Sequence, residues 1–413
     1  MSKSYYDAAV NLVKSGIDGT AIYLPLTRSP NSDELSKLGK YISIGKSQFI
    51  LLGGLSGSGK TSIVDSQFVL NLYYWWLRHR ETTNIKPYWI YRSMERPAKY
   101  KILKWMAYLM FVEHKILTDT NILAGKPSAT RKITDVEIKL VKEYEKFFDE
   151  MWTRLELISG VTNPTGIYKY SHQVAEQKGK KAYTFYDEEI KKNIFVINGV
   201  KHGELVNFEE NNGRKRFYID VDVNGINYRH FEYDTKYFAN DPNEIVFHLT
   251  DHVGCVRSEK GMGDKQTLDK YNEYMAYLRD VFEWSPITIQ QLNRDVESSA
   301  RWNDGNINMT NQDFKGTGNI YESSDLVIGL MNPYKLKADA YLDYDVPMML
   351  SPTGENRLRS YKIIKNSDGI DDIEVGFLFL GEMGLIADLP KGLDMKQSDY
   401  VNIQKGNFEK YIK

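Results

Sequence analysis

The chain has 413 residues, and its 54 lysines and arginines nearly balance 55 aspartates and glutamates, which excludes a histone-like basic protein and an acidic disordered one. A single cysteine, Cys255, excludes a disulfide framework and a thiolate zinc site, and it agrees with a reducing cytoplasm. No apolar run approaches the roughly 18 residues that would cross a membrane, and the N-terminus is not expected to be a secretion signal.

In the N-terminal half, helical periodicity alternates with short apolar runs. A helix is predicted over residues 5–15, where Tyr6, Ala9, Val10 and Val13 share one face. Buried strands are then predicted at 47–54, 87–95 and 155–161, and helices up to Arg80 and at 99–111 and 130–156. The aromatic residues Tyr73–Trp76 are expected in the core.

Residues 181–240 differ from their surroundings, because apolar and polar residues alternate around Asn-Gly pairs. Asn198-Gly199 and Asn224-Gly225 are typical of type I′ hairpins, since both central residues of that turn need a positive φ. We therefore predict an antiparallel β insertion at 181–240.

Strands and helices alternate again after residue 240. Strands are predicted at 243–252, 285–292, 325–331, 360–366 and 374–390, with a helix at 263–282. Such alternation implies a mostly parallel sheet flanked by helices. The predicted fold class is therefore α/β, with an N-terminal helix and linker at 1–39 and one domain at 40–413 that the β insertion interrupts.

A glycine-rich motif follows the first predicted strand. Residues 54–61 read GLSGSGKT and fit G-x-x-x-x-G-K-[ST] between a strand and a helix, as a phosphate loop requires. Backbone N–H groups of such a loop bind phosphate, while Lys60 is expected to reach the β- and γ-phosphates and Thr61 to hold Mg²⁺. The alternative is a strand–helix turn without a ligand. The candidate nucleotide-binding residues are Gly54, Leu55, Ser56, Gly57, Ser58, Gly59, Lys60, Thr61 and Ser62.

Two acidic residues at strand ends complete this hypothesis. Asp251 closes an apolar strand and is the candidate carboxylate on the metal side. Glu95 ends another strand, where it either orients the attacking water or simply favours the start of a helix. A metal site at His248 and His252 is rejected, because residues four apart on a strand lie about 13 Å apart. Cys255 is expected to be a small buried apolar residue.

Four segments in order resemble the ATPase domain of DnaB-type replicative helicases, within the RecA-like superfamily. The phosphate loop is one of them, RSMERP is similar to that family's S-L-E-M element, and HLTDHVG is similar to its D-Y-L-Q element. IQQLNRDVESS resembles the S-Q-L-N-R element, and DFKGTGNIYESSDLVIGL resembles a DNA-contacting loop with its following strand. The resemblance covers roughly 40–180 and 241–390.

The resemblance implies a RecA-like ATPase that uses ATP and Mg²⁺ and forms a homohexameric ring around single-stranded DNA. In it, Glu95 would activate water and Gln291 would sense the γ-phosphate, with Asn293 and Arg294 following in register. Primase or other replisome proteins are the implied partners, with no membrane, in the cytoplasm (that of the host if a phage carries the gene).

DNA contacts are predicted from two glycine-bearing loops. Arg257, Lys260 and Lys265 lie in the first of them, after Asp251. The resemblance adds Lys315, Gly316, Thr317 and Gly318, with Gly316 where the family has glutamate. The alternative is that both are ordinary solvated loops.

Other departures from the family concern the subunit interface. Only some 40 residues precede the core, so 5–15 would be a linker helix that docks on a neighbouring subunit. The family's K-x-R element, which reaches the neighbour's nucleotide, aligns with Lys365 and places Ser367 where arginine is expected. Arg357 or Arg359 could then act in trans instead.

Three functions remain open from the sequence. The first is an ATP-driven ring helicase that translocates on single-stranded DNA and unwinds duplex. The second is a RecA-like DNA-dependent ATPase or recombinase that forms an open filament. The third is a nucleotide-binding assembly protein that hydrolyses ATP weakly.

Overall fold

A computed structural model describes residues 2–18, 21–211, 213–292 and 309–412. Its strands are numbered along the chain: β1 (Tyr23–Leu24), β2 (Ile44–Gly45), β3 (Ile50–Gly54), β4 (Lys86–Ser93), β5 (Leu155–Ile158), β6 (Gly179–Asp187), β7 (Lys192–Ile197), β8 (Val200–Glu204), β9 (Asn207–Asn211), β10 (Arg214–Val223), β11 (Ile226–Phe231), β12 (Thr235–Ala239), β13 (Glu244–Asp251), β14 (Ser285–Gln291), β15 (Leu326–Met331), β16 (Ala340–Tyr341), β17 (Tyr344–Asp345), β18 (Leu358–Asn366), β19 (Ile373–Leu380) and β20 (Leu385–Asp388).

The helices cover the sheets and include one that follows the phosphate loop as Lys60–Ile63 and continues through Val64–Leu70, with π-type hydrogen bonds, into Asn71–His79. The other described helices are Ser2–Ile17, Ala98–His114, Thr120–Leu123, Asp135–Trp152, Pro164–Lys178, Asp264–Phe282, Gly318–Ser323 and Gln397–Gln404.

A nine-stranded sheet forms the centre of the molecule, in the order β20-β19-β18-β15-β3-β14-β13-β4-β5. The six strands from β15 to β5 are parallel to their neighbours, and β18, β19 and β20 extend this sheet in antiparallel fashion. Strands β3, β14, β13 and β15 are almost wholly buried, as expected for parallel strands covered on both faces. The predicted α/β class with a mostly parallel sheet is confirmed.

The β insertion is also confirmed, and its strands run from Gly179 to Ala239. They form a four-stranded sheet, β12-β6-β7-β8, and a three-stranded sheet, β11-β10-β9. Both Asn-Gly pairs make the predicted turns, with φ of 45° at Asn198 and 59° at Asn224. The two sheets share a small core separate from the main one, formed by Ala182, Phe195, Leu205, Val223 and Phe238.

Several elements differ from the sequence prediction. The helix Pro164–Lys178 was not expected, because Gly166 and scattered tyrosines obscure its periodicity, although proline at its first position is a start signal. The segment 374–390 forms two strands, β19 and β20, around a turn. Tyr73 and Trp76 lie in the core as predicted. Within the described ranges, no helix has the length and apolarity to cross a membrane.

Candidate functional site

The phosphate loop joins the end of β3 to the helix that begins at Lys60. Gly57 and Gly59 have φ angles of 76° and 96°, a conformation that residues with side chains rarely adopt. At Gly54 an added Cβ would lie 2.4 Å from Ser58 Oγ, so the strand end has no room for a side chain. The buried Ser58 hydroxyl lacks a hydrogen-bond partner in the described structure. The loop is therefore a tight backbone cradle with an unsatisfied donor inside it.

Lys60 lies across this cradle. Its Nζ donates to the carbonyl oxygens of Gly54 and Leu55, each at 2.8 Å. Burial lowers the pKa of the Lys60 ammonium to about 8, an effect that the carboxylates of Glu95 and Asp251 partly offset. A half-buried cation held only by carbonyl dipoles would gain from a nearby anion.

The carboxyl edge of the parallel sheet brings the predicted polar residues to this loop. Thr61 Oγ1 donates to Asp251 Oδ1 at 3.0 Å. Asp251 is the last residue of β13 and pairs in register with Ser93 of β4. Gln291 ends β14 beside Gly54 of β3. Ligands of open α/β sheets bind at this edge, because parallel strands all end there.

A cleft of about 500 Å³ opens at the same edge. Its lining includes Lys60, Thr61, Asp251, Glu95 and Gln291, so the structure brings together all the predicted catalytic and metal-side residues. Glu95 lies two residues beyond the end of β4, and its side chain is exposed within the cleft rather than packed into the protein.

A buried ionic network behind Asp251 was not predicted. Lys101 Nζ, on the helix Ala98–His114, donates to Tyr91 Oη at 2.6 Å and to Asp65 Oδ1 at 3.1 Å. It also lies 3.4 Å from Asp251 Oδ2. The Lys101 side chain is only 4% exposed, so its charge depends on these two carboxylates. No motif marks this lysine, because its partners come from three other segments.

The three candidates for action in trans are engaged within their own chain. Arg357 is buried and pairs with Glu382. Arg359 is also buried, and its Nε donates to the Gly57 carbonyl of the phosphate loop at 3.3 Å. Lys365, on β18, is half-buried and donates to a backbone carbonyl. Action in trans by either arginine would require these internal contacts to break.

The predicted DNA-contacting residues are described only in part. Arg257, Lys260 and Lys265 are exposed, and the first two belong to the loop that follows β13. The backbone at 315–318 passes from the 3₁₀ turn Asn311–Thr317 into the next helix, while the side chains of Lys315, Gly316, Thr317 and Gly318 lie outside what the structure describes. Asn293 and Arg294 are outside the described residues altogether.

The histidines near Asp251 have other partners. His248 is fully buried on β13, and its Nε2 accepts from Arg92 Nε at 3.2 Å. His252 lies beyond the strand end, and its Nδ1 accepts from the Gly254 N–H at 3.1 Å. Cys255 is half-buried rather than buried, with Sγ 3.7 Å from His252 Nε2.

Comparisons with known proteins agree with this architecture at the level of fold. No family model and no curated protein matches the sequence. Among solved structures, an ATPase domain of another protein superposes with a TM-score of 0.56 at 11% identity, over 93% of this chain and 98% of that one.

A second structure, of a DnaB-like replicative helicase and its interactions with primase, superposes with a TM-score of 0.50 at 11% identity over 84% of this chain. Our chain spans 59% of the length of that helicase. Identity this low carries information about the backbone alone. The chain has the RecA-like α/β fold of the ATPase domain of DnaB-type helicases.

Proposed function

We propose that the chain is an ATP-hydrolysing motor of the DnaB type, which forms a homohexameric ring and translocates on single-stranded DNA to unwind duplex. The observation that carries the proposal is the cleft at the carboxyl edge of the sheet. It joins a phosphate loop to the Thr61–Asp251 pair and to an exposed Glu95.

The residues of the cleft fit ATP and Mg²⁺ by their chemistry. The cradle of Gly54, Gly57 and Gly59 excludes side chains, and the unsatisfied Ser58 hydroxyl adds a donor. Thr61 and Asp251 offer the hydroxyl and carboxylate oxygens that Mg²⁺ prefers. Bound Mg²⁺ would supply charge neutralisation for phosphoryl transfer.

Each residue then has a distinct role in hydrolysis. Lys60 and the loop amides bind the phosphates, and Asp251 holds the Thr61 hydroxyl in place for the metal. Glu95 accepts a proton from the attacking water and orients it for in-line attack. Gln291, one strand away from the loop, contacts the γ-phosphate and transmits its loss to the segment that follows β14.

The ring is supported by the N-terminal helix Ser2–Ile17. Its apolar residues Tyr6, Val13 and Ile17, spaced along one face, are 69%, 63% and 78% exposed. We propose that this helix docks on a neighbouring subunit. Removal of residues 2–17 should dissociate the oligomer, as measured by light scattering, without unfolding the core.

DNA would pass along the two loops at the carboxyl edge. Arg257 and Lys260 are exposed donors for phosphates in the first loop. The turn Asn311–Thr317 in the second lies against the phosphate-loop strand, since an added Cβ at Gly53 would meet the Phe314 ring at 2.2 Å. A shift of either segment would therefore be felt by the other.

Primase or another replisome protein is the proposed partner, by analogy with the DnaB-like helicase whose structure is described with primase. We place this partner on the projecting β insertion and the protein itself in the cytoplasm.

ATP hydrolysis with and without oligo-dT tests the motor. The parent should be stimulated by DNA, Lys60→Ala should lose ATP binding, and Glu95→Gln should bind ATP but turn over at least about 100-fold more slowly. Glu81→Gln, at an exposed position outside the cleft lining, is the matched control and should behave as the parent. Parent-like turnover by Glu95→Gln, or no DNA-stimulated turnover in the parent, would refute the proposal.

A weakly hydrolysing assembly protein is the second candidate. It is favoured by the internal contacts of Arg357 and Arg359, which leave no described arginine of the K-x-R region free for a neighbouring site. Tight ATP binding with equal turnover in monomer and oligomer would identify it. Electron microscopy with a slowly hydrolysed ATP analogue would separate a closed ring from an open filament.

A further inference from the structure

A second lysine reaches the phosphate loop from a distant part of the chain. Lys335 lies in the segment that follows β15, and its Nζ donates to the Ser56 carbonyl at 2.7 Å. An added Cβ at Gly57 would lie 2.9 Å from the same Nζ. The Lys335 ammonium therefore covers the middle of the loop, where Ser56 and Gly57 form its tip.

The sheet fixes this position. Leu330 of β15 pairs in register with Gly54 of β3, so the segment after β15 begins beside the start of the loop. Leu336 is 1% exposed and anchors the segment in the core, while Lys335 itself is exposed. The side chain thus approaches the loop from the solvent side of an anchored turn.

Two ammonium groups consequently share one short loop. Lys60 is held by the carbonyls of Gly54 and Leu55, and Lys335 by that of the next residue, Ser56. Neither lysine has a carboxylate within ion-pair distance among the described residues. Like charges so placed repel each other, and an anion between them would remove the repulsion and replace weak carbonyl contacts with charge-assisted hydrogen bonds.

We propose that Lys335 is a second phosphate ligand, supplied in cis, which binds the outer phosphates of the nucleotide from the side of the loop opposite Lys60. The inference rests on the proposed nucleotide site and deepens it. Its consequence is discrimination: an ammonium over the loop tip contacts the γ-phosphate of a triphosphate and has less to bind in a diphosphate.

Equilibrium binding of fluorescent ATP and ADP analogues, with Mg²⁺, tests the proposal. Lys335→Met should weaken ATP binding by about tenfold, the worth of one charge-assisted hydrogen bond, and ADP binding much less. Lys335→Arg should keep most of the preference for ATP. Lys337→Met is the matched control, since Lys337 is an exposed lysine two residues further along with no side-chain contact to the loop, and it should bind both nucleotides as the parent does.

The ratio of the two affinities separates a ligand from a mere support of the loop. Equal weakening of ATP and ADP by Lys335→Met would mean that the lysine only braces the Ser56 carbonyl, and it would overturn the proposal. Unchanged binding of both would overturn it as well, while the nucleotide site itself would stand. A folded parent that binds neither nucleotide would overturn both the site and this inference.

Discussion

At the scale of single residues, the most consequential feature is a lysine enclosed by acids. Lys101 lies between Asp65 and Asp251, and it holds Oδ2 of Asp251 while Thr61 holds Oδ1. Burial, reinforced by the Asp65 carboxylate, raises the pKa of Tyr91 well above its usual range, so its phenol stays a neutral hydrogen-bonding group. Both oxygens of the metal-side carboxylate are thus oriented before any ligand arrives.

Removal of the Lys101 charge should therefore be costly. Lys101→Met leaves Asp65 and Asp251 buried without their cation, and the free energy of unfolding should fall by about 3–5 kcal/mol in urea denaturation. The double variant Asp65→Asn/Lys101→Met removes one charge of each sign and should recover most of the loss. Lys99→Met, on the exposed face of the same helix, is the control and should change stability by less than about 0.5 kcal/mol.

A loss below about 1 kcal/mol in the single variant would mean that Asp65 and Asp251 do not depend on this lysine. Failure of the double variant to recover stability would instead assign the loss to packing of the lysine stem.

At the scale of elements, one glutamate fixes the first DNA-contacting loop. Glu259 Oε1 accepts from the Thr165 N–H at 2.7 Å and from Asn163 Nδ2 at 3.0 Å, at the start of the helix Pro164–Lys178. Its Oε2 pairs with Lys270 on the helix Asp264–Phe282 at 2.7 Å. The carboxylate therefore caps one helix, pairs with a second, and sets the loop that carries exposed Arg257 and Lys260.

These contacts make a pH-dependent contribution to stability. The hydrogen bond from Lys270, with those from the helix start, lowers the pKa of Glu259 from 4.5 to about 2. Because the folded pKa is the lower one, the stabilisation is fully present above pH 4.5 and is lost as the pH falls toward 2.

Glu259→Gln should accordingly lower the free energy of unfolding by about 1–2 kcal/mol at pH 7, since it removes charge-assisted hydrogen bonds. The difference from the parent should shrink as the pH is lowered from 4.5 toward 2, measured by urea denaturation at each pH. Glu273→Gln, exposed on the same helix as Lys270, should show no such difference. A constant difference at all pH values would exclude the ionised carboxylate as its source.

At the scale of the whole molecule, the β insertion is attached to the ATPase core by a narrow connection. Its first and last strands, β6 and β12, pair so that Gly179 lies opposite Ala239. Tyr237 packs on Phe282 and donates to the carbonyl of Ala175, which ties the base of the insertion to the core helices. Beyond this base, the insertion relies on its own small core.

This geometry allows a precise excision. Lys181 and Tyr237 are opposite each other in the pair of strands, so residues 182–236 can be replaced by Asn-Gly as a two-residue hairpin turn. We expect the shortened protein to keep its fold and at least half of its DNA-stimulated ATPase activity, because the cleft takes no lining residue from the insertion. Loss of partner binding with ATPase retained would agree with a docking role, whereas collapse of the ATPase would show that the insertion shapes the motor.

The phosphate loop and the residues at the strand ends were predictable because each depends on short stretches of sequence. Eight consecutive residues between a strand and a helix specify the cradle, and Asp251 and Gln291 converge simply because parallel strands end at one edge. The Asn-Gly turns of the insertion are equally local. Their catalytic and DNA-binding roles remain predictions.

Only the tertiary structure decided which cations surround the loop. Lys335 and Arg359 contact Ser56 and Gly57 across 279 and 302 residues of chain, and Lys101 meets Asp251 across 150. Lysine and arginine are common on any surface, so no local pattern distinguishes one that will fold over a loop from one that faces water. The order of strands in the sheet makes that choice, because it determines which distant segments share an edge.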